Sequence, residues 1–297
     1  MNSIKISKSR LVFQIFNYII IAILALSCMV PILNLLATSF SSSQAIIQNR
    51  VGLLPVEFNL KAYEYVIKNT RFWDSIKVSI IRVVVGVPLN VMFAIMAAYP
   101  LSKEDYEFRA RKFYVAILLT AMLFNGGLMP TYYLVSKLGI IDTIWSLTLP
   151  GALPIFSCII MMNFFRGIPK ELEESAKIDG SGQWRILFQI FIPLSKPSIA
   201  TITLFSLIGH WNSWFDGLIY SNHTENYPLQ SYLQTLVVST TEALTSGDLK
   251  EIMDLTQVND TNMKAAQIFI SIIPLMIVYP FMQKHFTKGL TLGSVKG

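Results

Sequence analysis

Charge is scarce in this chain. Only 14% of its 297 residues are Asp, Glu, Lys or Arg, where soluble domains carry about a quarter. With 53% of residues hydrophobic, the deficit means that much of the surface faces lipid. Cysteine is nearly absent. Cys28 and Cys158 both sit in apolar runs; a disulfide would need two spans to bring them together by chance, so both read as buried small residues. The three histidines, His210, His223 and His285, have no metal-ligand spacing with these cysteines. There is no Gly-x4-Gly-Lys-Ser/Thr phosphate loop, so the chain is not expected to bind ATP phosphates itself. There is no Gly-x-Ser-x-Gly elbow and no polar catalytic cluster at one membrane face, which argues against a membrane enzyme such as a lipid-modifying transferase. The net charge of +6 does not point to nucleic acid, because the basic residues are scattered beside apolar segments.

What is present is a series of apolar runs. A span needs about 20 apolar residues, and six segments qualify: 11–37, 76–101, 113–135, 140–165, 198–220 and 265–286. The fold class is therefore an all-α membrane protein with six transmembrane helices, in one domain over residues 1–297. Lys5, Lys8 and Arg10 before the first run resemble a secretory signal, and Ser27-Cys28 a lipoprotein cleavage site. The run continues to Ala37, however, and Ala25 is a poor residue three before the cysteine, so an uncleaved first span is the reading. Pro150 and Pro154 predict a kink or break in the fourth span. Arg82, in the second, must face protein or lie near an end, because a lipid-facing charge at mid-depth costs several kcal/mol.

Lysine and arginine placement sets the orientation. Lys5, Lys8, Arg10, Lys103, Arg109, Arg111, Lys112, Arg166, Lys170, Lys177, Arg185, Lys196, Lys284, Lys288 and Lys296 fall on one side, fifteen of the 24 basic residues. The positive-inside rule puts this side, with both termini and the 166–197 segment, in the cytoplasm. The outer connections are long. Residues 59–65 in the first predict a short surface helix; the second, 221–263, is acidic, with Glu225, Glu242, Asp248, Glu251, Asp254 and Asp260.

The 166–197 segment carries the strongest pattern. Pro169 suits a first helical turn, and Glu171, Glu173 and Glu174 suit its dipole. Leu172, Ala176 and Ile178 give a thin apolar side. Gly180-Ser181-Gly182 stops the helix. Gln183 restarts it, with Trp184, Leu187, Phe188 and Phe191 on an apolar face; Pro193 ends it, and Pro197 opens the fifth span. This is a helix–turn–helix on the inner membrane surface, suited to a soluble partner.

Glu174-Ser175-Ala176, Gly180 six residues after the glutamate, and Ile190-Phe191-Ile192-Pro193 resemble the EAA loop of ABC importer permeases. Ser175 stands for the family's first alanine, and Ile192 for its leucine. The runs from Phe124 to Tyr132, Trp211 to Asp216, Tyr227 to Gln230 and Gly289 to Gly297 are similar to the polysaccharide or oligosaccharide (aldouronate/lipoprotein-type) branch of the carbohydrate permeases, over nearly the whole chain. The resemblance implies a type I ABC importer permease fold in the bacterial cell membrane, with N and C termini cytoplasmic. It implies ATPase coupling through Glu174, Ser175, Ala176, Asp179, Gly180, Ile190 and Pro193. The implied partners are a homologous second permease subunit, an ABC ATPase dimer and an extracellular solute-binding lipoprotein. ATP and Mg would sit on the ATPase, and no cofactor on this chain. The implied cargo is an oligosaccharide or polysaccharide fragment; a non-carbohydrate solute is the alternative.

The fifth span adds a substrate-pathway candidate. Trp211 and Trp214 are three residues apart, and Asn212 and Asp216 four, which on a helix gives two adjoining faces. Rings stack on the C–H faces of sugars, and amide or carboxylate oxygens bond their hydroxyls. An intramembrane carboxylate is a functional candidate by default. The structural alternative places the tryptophans in the interfacial belt and pairs Asp216 locally. His210 reads as a satisfied helix residue. An ion-coupled secondary transporter would need more spans or matched repeats and would leave the 166–197 segment without a purpose.

Overall fold

The structure, a computed structural model, describes residues 8–124, 126–246 and 260–294. Lys5, Asn125, Lys250, the acidic residues Asp248, Glu251 and Asp254, and the last three residues therefore lie outside the described residues. Among the described residues every regular element is helical. In chain order these are α1 (Lys8–Ser39), α2 (Ser43–Ile47), α3 (Lys61–Lys68), α4 (Thr70–Ser102), α5 (Arg111–Leu123), α6 (Leu128–Lys137), α7 (Ile144–Thr148), α8 (Ile155–Arg166), α9 (Lys170–Ile178), α10 (Gln183–Leu194), α11 (Lys196–Asn212), α12 (Phe215–Tyr220), α13 (Leu229–Ser246) and α14 (Asp260–Ser294).

Three stretches, Ser9–Ser39, Thr70–Ser102 and Thr261–Pro280, are each long and apolar enough to cross a membrane. The third, fourth and fifth expected spans are interrupted, the fourth at its prolines as expected. The third is two helices, α5 and α6, separated before Gly127, whose φ of 87° suits glycine alone. The fourth is a short α7, a non-helical stretch holding Pro150 and Pro154, and the 12-residue α8. The fifth breaks at Ser213, which is extended (φ −71°, ψ 126°).

The chain divides into two compact units, residues 1–70 with 236–273, and residues 71–235 with 274–297. In the first, α1 exposes apolar side chains along most of its length. Cys28 is exposed on it, contrary to the expectation of a buried small residue; a single helix with no neighbour covering it leaves even its small side chains open. Past α1 the chain is pinned. Ser42 caps α2 by accepting from the Ala45 N–H at 3.1 Å, Glu57 accepts from Ser42 and Arg50, and Phe40 stacks on both Phe58 and Tyr63. The expected surface helix is α3.

In the second unit the core gathers at one end of α4. Ala94, Ile95, Ala98 and Tyr99 pack with Cys158, Met161 and Phe165 of α8, Ile186, Leu187 and Phe191 of α10, and Ile202 of α11. Apolar lipid supplies no hydrophobic drive between helices, so close van der Waals fit must do it; the alanines of α4 permit that approach. Tyr99, Phe165 and Phe191 meet edge to face, with centroids 5.0–6.3 Å apart, a geometry that favours ring pairs. The α9 helix lies over this end.

Candidate coupling and pathway sites

Two clusters carry the polar chemistry of the second unit. The first is built on α9. Pro169 precedes the helix, and Glu171 and Glu173 occupy its first turn. Its end is a Schellman turn: Gly180 N–H donates to Lys177 O at 3.0 Å and Ser181 N–H to Ala176 O at 2.9 Å. This turn needs the left-handed φ of +77° that Gly180 supplies. The chain then enters α10 and bends by 82° into α11. Pro193 does not end α10, which runs to Leu194. Proline lacks an N–H and clashes with the carbonyl four residues back; the turn Leu187–Phe191 before it is π-wound, with Ile192 N–H bonded to Leu187 O, which takes up the misfit.

One face of α9 is tied down and the other is open. Glu173 is buried and pairs with Lys103 at 2.5 Å. Lys177 pairs with Glu107 and, at 2.9 Å, with Glu173; Lys170 pairs with Glu104 at 2.6 Å. Positions 170, 173 and 177 share one helix face, and it meets the turn after α4. The Lys103 ammonium also lies 4.1 Å from the Tyr99 ring centroid and 4.7 Å from that of Phe191. Burial pushes Lys103 below the ordinary lysine value, and its bond to Glu173 opposes this. Burial would raise Glu173, but its bonds to Lys103 and Lys177 outweigh that and hold the carboxyl below its usual range. Of the residues the sequence singled out, Glu174, Ser175, Asp179 and Gly180 are exposed, Ala176 and Ile190 half-buried, and Pro193 exposed. Leu172 and Ile178 are also exposed, Ile178 by 87%. The sequence reading missed Lys103 and the inward role of Glu173, because their partners are 70 residues apart.

The second cluster surrounds the break between α11 and α12. Arg82, buried at 3%, grips Asp216 with both terminal nitrogens, one of them at 3.1 Å. Asp216 Oδ1 also accepts from Ser213 Oγ at 2.8 Å and the Gly217 N–H at 2.9 Å. Four donors thus meet a carboxylate with about four lone-pair sites. Arg82 Nε donates to His210 Nδ1 at 3.3 Å. Oriented to suit its neighbours, the Asn90 amide accepts from His210 Nε2 (3.2 Å) and Ser206 Oγ (3.0 Å), and its two N–H groups face the carbonyls of Gly86, Gly151 and Ala152 at 3.2–3.3 Å. His210 is therefore a neutral Nε2–H imidazole with both nitrogens used. It fits only because residue 86 is glycine, where a Cβ would lie 2.5 Å from the ring.

The pathway candidates do not share a helix face. The break at Ser213 puts Trp211 and Asn212 on α11, Trp214 at the start of α12 and Asp216 within it; the three- and four-residue spacings lose their helical meaning there. Trp211 is buried, while Asn212 and Trp214 are exposed. Among the described residues, no group of three or more His, Cys, Asp or Glu could hold a metal.

Comparison with known proteins agrees with this architecture. Residues 62–292 match the family model for "Binding-protein-dependent transport system inner membrane component". The polygalacturonan/rhamnogalacturonan transport system permease protein YtcP of Bacillus subtilis (strain 168) is 37% identical over 290 residues, covering 98% of this chain and all of the relative. Protein LplC of the same organism is 39% identical over 291 residues, covering 98% and 97%. A solved bacterial ABC transporter involved in the import of the acidic polysaccharide alginate contains a chain with a TM-score of 0.84 and 34% identity, covering 96% of this chain and all of that one.

Proposed function

The chain belongs to the family of binding-protein-dependent transport system inner membrane components, and from that premise we propose that it carries oligosaccharides or polysaccharide fragments across the cell membrane, driven by a separate ATPase. It is a multi-pass permease and not itself an enzyme. The observation that carries the coupling assignment is the two-sidedness of α9: one face is fastened by three ion pairs, and the other leaves Glu174, Ser175, Ile178 and Asp179 open. A helix held this way can receive a soluble partner without losing its own seat. The proposed partner is an ABC ATPase dimer carrying ATP and Mg, which docks on Glu174, Ser175, Ala176, Asp179 and Gly180, with Ile190 and Pro193 shaping the return into the membrane.

A homologous second permease and an extracellular solute-binding lipoprotein complete the proposed complex. Six crossings with both termini inside follow from the charge distribution, if α5–α6, α7–α8 and α11–α12 each count as one interrupted span. ATP binding closes the ATPase dimer and moves α9; the bundle reorients, and the released saccharide enters a cavity between the permeases. Of the four pathway candidates, Asn212 and Trp214 are exposed enough to meet it, while Trp211 and Asp216 support the break that presents them. The names of the relatives favour acidic saccharides among the candidate cargoes.

The test is purification with the neighbouring operon products and reconstitution in vesicles. Glu174→Lys should abolish saccharide-stimulated ATP hydrolysis while the permease pair stays assembled. Hydrolysis that stays at the wild-type level would remove the coupling assignment. Uptake compared across oligogalacturonides, alginate oligosaccharides and neutral arabino-oligosaccharides identifies the cargo class, and no uptake of any would remove the saccharide reading.

A further inference from the structure

We propose that movement of the α9 segment enters the bundle through α4, and that Lys103 is the positioning residue that makes the joint. The inference rests on the coupling reading above. By chain order α9 would be expected to drive α11, the long helix that follows it. That route passes Gly180-Ser181-Gly182 and an 82° bend, two places where the backbone can flex. The route to α4 is not covalent, yet it is stiffer.

Three ion pairs join α9 to residues 103–107, one near its start, one in its middle and one near its end. Spread along its length, they oppose both sliding and rotation of the helix, the buried one most. The central pair differs from its neighbours. Lys103 and Glu173 are both buried, while Lys170 and Glu104 are exposed. Exposed pairs contribute little; a buried pair that loses one member leaves an uncompensated charge and is strongly resisted. The Lys103 ammonium is further fixed between Tyr99 of α4 and Phe191 of α10. It therefore touches α9 and α10 while being the first residue past the end of α4. From there α4 stays helical back to Arg82, 21 residues earlier, or about 30 Å along the axis, although Pro100 and Pro88 each remove one helix hydrogen bond on the way. Arg82 holds Asp216 beside the Ser213 break. One helix thus ends in the grip on α9 and carries the grip on the broken span.

The experiment uses the complete complex in vesicles, measuring ATP hydrolysis and oligogalacturonide uptake together. Lys103→Met and Glu173→Gln should each lower uptake per ATP hydrolysed by about tenfold or more, within the range of ordinary coupling energies, while the ATPase still co-purifies. Lys103→Arg should restore most of the ratio. A wild-type permease that retains no ATPase would defeat the coupling reading itself. Co-purification with an unchanged ratio in both variants would overturn only the α4 joint. Should either variant fail to assemble, spin labels at Met96→Cys and Glu171→Cys, in a chain with Cys28 and Cys158 replaced by alanine, decide the matter. Their separation should stay constant through the ATP cycle; a change beyond one helical turn, about 5 Å, means that α9 moves independently of α4.

Discussion

Two ion pairs flank α4, an outer one just past its end and an inner one along its length, and they are satisfied in opposite ways. Lys103–Glu173, at the α9 end of α4, is surrounded by further charges: Lys177, Glu107, Lys170 and Glu104. Among the described residues no second charged side chain bonds the Arg82–Asp216 pair; its remaining valences go to the neutral His210 imidazole, Ser213 and the Gly217 N–H. Where water reaches the cluster, extra charges are cheap and can be added in alternation. Within the apolar span region every further charge would cost several kcal/mol, so neutral dipoles complete the shell. The first arrangement suits a joint that must stay fastened while the helix it holds is pushed from outside the membrane. The second suits one that must hold a broken helix in a fixed shape.

The largest effect should come from breaking the inner pair. Asp216→Asn leaves Arg82 buried without its counter-charge and should cost about 3–5 kcal/mol, read as a loss of unfolding free energy in detergent-solubilised complex. Replacing both partners, Arg82→Met with Asp216→Leu, should recover most of it; a double variant as unstable as the single one would mean that the charges themselves are needed. Next is Gly86→Ala. Its Cβ would lie 2.5 Å from the His210 ring, and such overpacking costs about 1–3 kcal/mol, measured by the same unfolding. Gly180→Val is smaller, about 1–2 kcal/mol for forcing a left-handed residue. Its effect should be local, seen as faster amide exchange at Ser181, whose N–H closes the turn on Ala176 O.

The smallest effect is the pH response of the outer pair. The folded Glu173 carboxyl lies below its ordinary value of 4.5. Its contribution is therefore present above that value and is lost as pH falls through the lowered folded value. Lys177 is raised, because its bonds to Glu107 and Glu173 exceed the cost of burial, so its contribution holds below the ordinary lysine value and fades only in strong alkali. Melting curves of the wild type should fall on the acid side more steeply than those of Glu173→Gln, with no difference near neutrality in slope against pH. Equal acid slopes would mean that the outer pair adds no linkage.

Much of the fold was legible. The apolar runs fall where the helices do, and the expected break at Pro150 and Pro154 and the expected Gly180–Gly182 turn are both present; the break before Gly127 was not expected, because a glycine within an apolar run does not by itself end a helix. The break at Ser213 was not legible. Residues 211–216 contain neither glycine nor proline, so the spacing of Trp211 and Trp214 suggested one unbroken face. What ends the helix there is Asp216, whose Oδ1 bonds Ser213 Oγ and the Gly217 N–H, and which is itself drawn to Arg82. Local periodicity cannot report a partner 134 residues away.

From the sequence alone come the membrane setting of this chain, the break at Pro150 and Pro154, and the helix–turn–helix of residues 166–197. These follow from scarcity of charge, from glycine and proline stereochemistry and from a short spaced pattern, all of which act over a few residues. Which charges meet was set by the packing of the helices. This packing paired Asp216 with Arg82 and Glu173 with Lys103, and so bound the exposed segment and the broken span to one helix. Pairing depends on which helices pack side by side, and that is fixed by fit across the whole bundle.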